Sequence, residues 1–163
     1  RAVMLPEENT VNVVGSDPIS AVVGPVLLIV LDTNIVLDIF VFNDPASQPL
    51  KNALQNGRLR WLATQAMREE LARVLAYPKI APRLAFYQLS AAEVLARFDR
   101  HTQFVSAPAK APLTCSDADD QKFIDLAVTH QATLLSKDQA VLCMAKRLSA
   151  LGVKVQAAID RID

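Results

Sequence analysis

Cysteine and histidine are scarce in this sequence, with two of each among 163 residues. Cys115 and Cys143 do not form a close pair, and neither has a histidine at zinc-ligand spacing, so neither a disulfide framework nor a zinc centre is indicated. Two buried free thiols in a reducing cytosol are expected instead. His101 and His130 stand alone and offer no histidine pair for acid–base work or metal binding. Net charge is lacking too, because 17 basic and 17 acidic residues cancel. A nucleic-acid ligand would then need a local basic rim, or cations offsetting an acidic pocket, in place of a global field. The apolar run from Ile19 to Leu31 is broken by Gly24 and Pro25 and is shorter than the ~20 residues of a membrane span. A signal peptide's basic start and small-residue cleavage site are not evident. The expectation is a cytoplasmic protein with no membrane partner.

What is present describes a folded globular chain: 52% of residues are hydrophobic and 21% charged. The length suits one α/β domain with a real core. Residues 1–24 show no sustained periodicity and carry Pro6, Gly15, Pro18 and Gly24, which reads as an N-terminal extension of unknown role. Residues 25–163 form the domain proper. Its first segment, Val26–Leu31 (VLLIVL), is β-branched or leucine throughout, as in a strand buried on both faces of a parallel sheet. Helices are expected from about 34 to 42 and from 50 to 56, the latter closed by Gly57. A strand over 60–63 leads through the cap Thr64 into a helix reaching Ala76, where Tyr77-Pro78 stops it. Two helices (82–87 and 90–101), a strand over 103–106 and a loop over 107–114 follow. The last third reads as a helix from 117–120 to His130, a strand over 132–136, a helix to Ala150 and a strand over 153–157. Strands alternating with helices predict a parallel sheet covered on both faces.

Acidic residues fall where such a sheet binds ligands, at the carboxyl ends of its strands. Asp32 follows VLLIVL, Asp138 follows ATLLS, and Glu70 lies two turns into the helix after RWLA. Asp120 begins a helix. Carboxylates converging in this way repel one another unless a cation sits between them, and a hard divalent ion such as Mg2+ or Mn2+ fits oxygen ligands. Glu70 rather than Glu69 is chosen by helix register: it lies beside the apolar stripe of Met67 and Val74, whereas Glu69 is placed to pair with Arg73. Within SDADD (116–120), helix periodicity does not separate Asp119 from Asp120, and capping alone could account for the acidic residues there. Asp32 and Asp138 also read as helix caps. Asp125 is read as solvated.

These residues resemble the PIN-domain family over about residues 26–157. LDTN at 31–34 matches the family's opening motif. TQAMREELARVLAYPKI at 64–80 is similar to the branch of toxin components of toxin–antitoxin systems (VapC-like ribonucleases), with Glu70-Leu71 and the Val74–Lys79 run in the matching places. DADDQKFIDLAVTHQATLLSKDQAVL at 117–142 resembles the family's second half. The resemblance implies a three-layer α/β/α sandwich with a central parallel sheet, and metal-dependent cleavage of single-stranded RNA. It gives Asp120 the third acidic place, by its distance to Ala127, and leaves open whether Asp117 or Asp119 shares it. Asp32, Glu70, Asp120 and Asp138 would be the catalytic and metal-ligating set, with Thr33, Asn34 and Ser136 as supporting polar residues. Lys137 and Arg68 would contact RNA phosphates. A cognate antitoxin and a homodimer are the implied partners.

Two alternatives stand beside this reading. A degenerate PIN domain would bind nucleic acid or protein without cutting. A haloacid-dehalogenase phosphatase would carry a second aspartate two positions after the first, where this chain has Asn34.

Overall fold

Leu27–Leu31 (β1) carries no side chain able to hydrogen-bond, and in the computed structural model, which describes residues 26–159, its last three residues are buried. The sequence-predicted extension at 1–24 lies outside the described residues. β1 is the central strand of a five-stranded sheet. The others are β2 (Leu59–Ala63), β3 (Thr102–Phe104), β4 (Thr133–Leu135) and β5 (Val155–Gln156). The spatial order is β3-β2-β1-β4-β5, and each neighbouring pair is parallel. Ile29 stands opposite Trp61 on one side and Thr133 on the other. The chain therefore builds outward from β1 in one direction, then crosses back to lay β4 on its other flank. That reversal opens a crevice beyond the carboxyl ends of β1 and β4, the usual ligand position in open parallel sheets.

Helices cover the sheet as the alternating pattern predicts: α1 (Thr33–Phe40), α2 (Gln48–Gln55), α3 (Gln65–Leu75), α4 (Ala81–Phe86), α5 (Ala91–His101), α6 (Gln121–His130), α7 (Gln139–Leu142) and α8 (Ala145–Ser149). α1 buries six of its eight residues, so it acts as a core helix rather than a surface one. α1, α3 and α5 pack on one another, whereas α6 lies against β1 and β4, and α8 against β5. Trp61 is buried in this core, with Phe40 tilted at 5.9 Å and Phe98 edge-on at 5.2 Å between ring centroids.

Local chemistry sets the helix ends. The Thr64 hydroxyl accepts the Met67 N–H at the start of α3. Ser90 and Glu93 form a reciprocal capping box on α5, which satisfies two otherwise orphaned donors. Gly57, past the end of α2, has φ of 73°, the left-handed conformation expected of a terminating glycine.

Three expectations need correction. The helix foreseen up to Ala150 is two pieces, because Met144 N–H turns back to the Val141 carbonyl and closes a tight turn between α7 and α8. Cys143 is exposed; only Cys115 is buried. Asp125 is half-buried rather than solvated, and accepts from Ala111 N–H and Gln121 Nε2, both at 2.8 Å. It ties the loop before α6 to that helix. Among the described residues, no helix is long and apolar enough to cross a membrane.

Candidate metal centre

Asp32 is the residue at which β1 becomes α1. Its N–H donates to the Leu135 carbonyl, extending the β1–β4 ladder by one rung. Its Oδ1 accepts the Ile35 N–H as helix cap, and its Oδ2 accepts the Ser136 hydroxyl. Capping and site membership are thus compatible, because a carboxylate has two oxygens to place. Asp138 does the same at α7, accepting Ala140 N–H through Oδ1 at 3.0 Å. Ser136 joins the two. Fully buried at the end of β4, it donates to Asp32 and accepts the Asp138 N–H at 3.0 Å.

Asp120 reaches the crevice from a 3-10 turn, Ala118–Asp120, that precedes α6. It is 8% exposed, and its Oδ2 is fully buried with no hydrogen-bond partner among the described residues. Asp117, which caps the 3-10 turn through the Asp119 N–H, stands with it. Asp117, Asp120 and Asp138 each offer a carboxylate oxygen within 4.8 Å of the others. Asp117, not Asp119, is therefore the residue placed beside Asp120; Asp119 is exposed.

The electrostatics follow from this crowding. Burial first, then a hydrogen bond shared with Asp138 and the negative charge of Asp138, Asp117 and Asp32, push the Asp120 carboxyl up to about 8. The shared hydrogen bond and the Ala140 N–H hold Asp138 below the usual carboxylate range. The two carboxyls titrate together, Asp120 upward and Asp138 downward. Asp32 is raised as well, chiefly by burial, with its Ser136 and Ile35 hydrogen bonds working against that.

Glu70 is placed differently. It is half-buried on α3, where Oε2 accepts the Thr33 hydroxyl at 2.5 Å and Oε1 pairs with the Lys122 ammonium. It connects to the other acids through Thr33, the neighbour of Asp32. Asn34 is exposed. Lys137 pairs with Asp38. Arg68 makes a two-pronged contact with Asp99 on α5, at 2.8 and 2.9 Å, and the Asp99 carboxyl is lowered by it. Sequence reasoning missed Lys122, although one signal was available. Lys122 is the second residue of α6, and a lysine in the first turn meets the positive end of the helix dipole unless an anion lies nearby.

The donor set fits a divalent cation. Its oxygens are all carboxylate, as a hard ion requires, and the orphaned Asp120 oxygen is a buried acceptor that a cation would satisfy.

Replacing Ser136 tests the frame. Ser136→Ala leaves a buried acceptor on Asp32 and the Asp138 N–H unmatched. The expected cost is about 1–3 kcal/mol of stability in urea unfolding. Mn2+ affinity should weaken by about 10–100-fold in calorimetry. If both stay at wild-type values, Ser136 does not organise the site.

A family model for the PIN domain matches residues 28–140. Among solved structures, the VapBC2 assembly from Rickettsia felis, bound to a DNA fragment from its promoter, has a similar fold. The TM-score is 0.53 at 15% identity, covering 79% of this chain and 98% of that one. No curated protein matches the chain.

Proposed function

This chain belongs to the PIN-domain family, and from that membership we propose that it is a divalent-metal-dependent endoribonuclease acting on single-stranded RNA, the toxin of a toxin–antitoxin pair. The observation that carries the reading is the buried, unpartnered Asp120 oxygen facing a cluster of carboxylates at the sheet's switch point. Asp32, Asp120 and Asp138 would hold Mg2+ or Mn2+, with Asp117 joining Asp120, and Glu70, engaged by Thr33 and Lys122, would add its charge from the edge of the site. When bound, such an ion lowers the pKa of an attacking water and offsets charge gathering on the phosphate.

The chain's own part is to hold the acids convergent against their repulsion. Ser136 and the Ile35 N–H fix Asp32, the Ala140 N–H fixes Asp138, and Thr33 fixes Glu70. Asp120 would hold such an ion as its carboxylate, since metal ligands must be deprotonated, so binding should weaken as pH falls. Lys137, beside Asp138, and Arg68, on α3, are the proposed phosphate contacts, each exchanging a carboxylate partner for a phosphate oxygen. Cleavage should leave a 5′-phosphate and a 3′-hydroxyl. A cognate antitoxin belongs to the same proposal, since a solved structure of like fold is a VapBC2 assembly; so does a homodimer, by the resemblance.

The test is incubation of a mixed single-stranded RNA pool with the protein in Mn2+, Mg2+ or EDTA, alongside calorimetry with Mn2+. The Asp120→Asn protein controls for contaminating nuclease. Cutting that needs the cation and is absent from the control supports the proposal. No cutting and no Mn2+ binding would make this a degenerate member that binds without hydrolysis.

A further inference from the structure

Both oxygens of Glu70 are engaged, as those of Asp32 are, but of the acids at this centre Glu70 alone, among the described residues, is paired with a cation. One of its oxygens accepts from Thr33 and the other is paired with Lys122. Lys122 is itself held from a second side, because its ammonium also donates to the Asp119 carbonyl at 2.5 Å. Its charge lies 5.1 Å from the centre of the Phe123 ring, a favourable place for a cation. The side chains of Lys122 and Glu70 are only 24% and 16% exposed. Asp117, Asp120 and Asp138 converge by contrast on a common point, and Glu70 is not among them.

We propose that Lys122 is a built-in counter-ion that occupies Glu70 and limits this centre to one divalent cation, on the Asp117–Asp120–Asp138 side. Two metal ions in one hydrolytic centre stand about 3.5–4 Å apart and each needs its own carboxylates. A centre with five nearby acids has enough charge for two. Here an ammonium takes up Glu70, the acid that α3 contributes to the centre, and a second cation would lack it. Lys122 is then a positioning residue. It keeps Glu70 against Thr33, and through Thr33 keeps the start of α1, with Asp32, in place. The cost of a lysine in the first turn of a helix is offset by the anion it faces.

This inference rests on the metal-dependent reading above, and its test separates the two. Mn2+ titration by calorimetry is run on wild type, Lys122→Met and Lys122→Arg. Wild type and Lys122→Arg should bind one Mn2+ per chain, and Lys122→Met should bind two, the second more weakly. In EDTA, where no cation takes part, Lys122→Met should melt about 2–4 °C below wild type. Adding Glu70→Gln to it should recover most of that loss, since the unpaired charge is then gone. Two ions bound to wild type would overturn the inference, as would one ion bound to Lys122→Met with unchanged affinity. Either leaves the nuclease reading standing. No Mn2+ bound by wild type would overturn both.

Discussion

Asp120→Asn should make the metal-free protein more stable and the loaded protein inactive. The two effects have one cause. Asp120 is 8% exposed, has a buried oxygen without a partner, and is pushed up to about 8. A carboxyl whose folded value lies above its unfolded one favours the fold fully at pH below about 4. That contribution is lost as pH rises through about 8. Asparagine has nearly the same shape and no charge to bury. At pH 8.5 in EDTA the variant should therefore gain about 1–2 kcal/mol, a rise in Tm of about 2–8 °C. The gain is well below what the shift of Asp120 alone would give, because the hydrogen bond that raises Asp120 also lowers Asp138 and returns part of the energy. Wild-type Tm in EDTA should climb as pH is lowered from 9 toward 5, and the variant should show much less of that slope. With Mn2+ present, cleavage should fall about 100-fold or more, since several kcal/mol of charge stabilisation leave with the ligand. A variant that melts lower than wild type in EDTA, or cuts at the wild-type rate, would contradict this account of the site.

The largest loss of stability is expected from Trp61→Ala. Trp61 is the middle residue of β2, 2% exposed, and its ring is the hub between Phe40 of α1 and Phe98 of α5. Truncation removes the transfer energy of the indole and leaves a cavity between two helices and the sheet. The expected cost is about 3–5 kcal/mol in urea unfolding, a large share of the 5–15 kcal/mol typical of a domain. Trp61 is the single tryptophan, so the variant must be followed by circular dichroism rather than fluorescence. A cost below about 1 kcal/mol would mean that the helices collapse onto β2 without it. Because α1 begins at Asp32, partial collapse should also weaken Mn2+ binding before the fold is lost.

Strand β1 and its terminal aspartate were legible from sequence because their signal is local: an unbroken apolar run ending in an acid. Asp138 is less plainly marked, because Ser136 and Lys137 separate it from the strand, and helix register tells half-buried Glu70 from exposed Glu69 without saying what Glu70 meets. The strand order was not stated by the sequence, which shows alternation but not which strands are neighbours. The third acidic position was blurred by chemistry. Aspartates favour helix starts with or without a cation, so SDADD gives one signal for two causes, and only the folded turn shows Asp117 beside Asp120. Lys122 and Asp125 were missed because their partners, Glu70 on α3 and the Ala111 N–H in the preceding loop, are brought to them by tertiary folding.

The crossover that lays β4 against β1 has a consequence for synthesis. Asp32 leaves the ribosome 104 residues ahead of Ser136. Until β4 docks, Asp32 lacks both the backbone rung from Leu135 and the hydroxyl of Ser136. A nascent or prematurely terminated chain ending before β4 therefore lacks Ser136 and Asp138, the residues that tie Asp32 to the rest of the centre. If the proposed RNA cleavage is right, that order of emergence would leave the unfinished polypeptide without an assembled centre beside the message that encodes it.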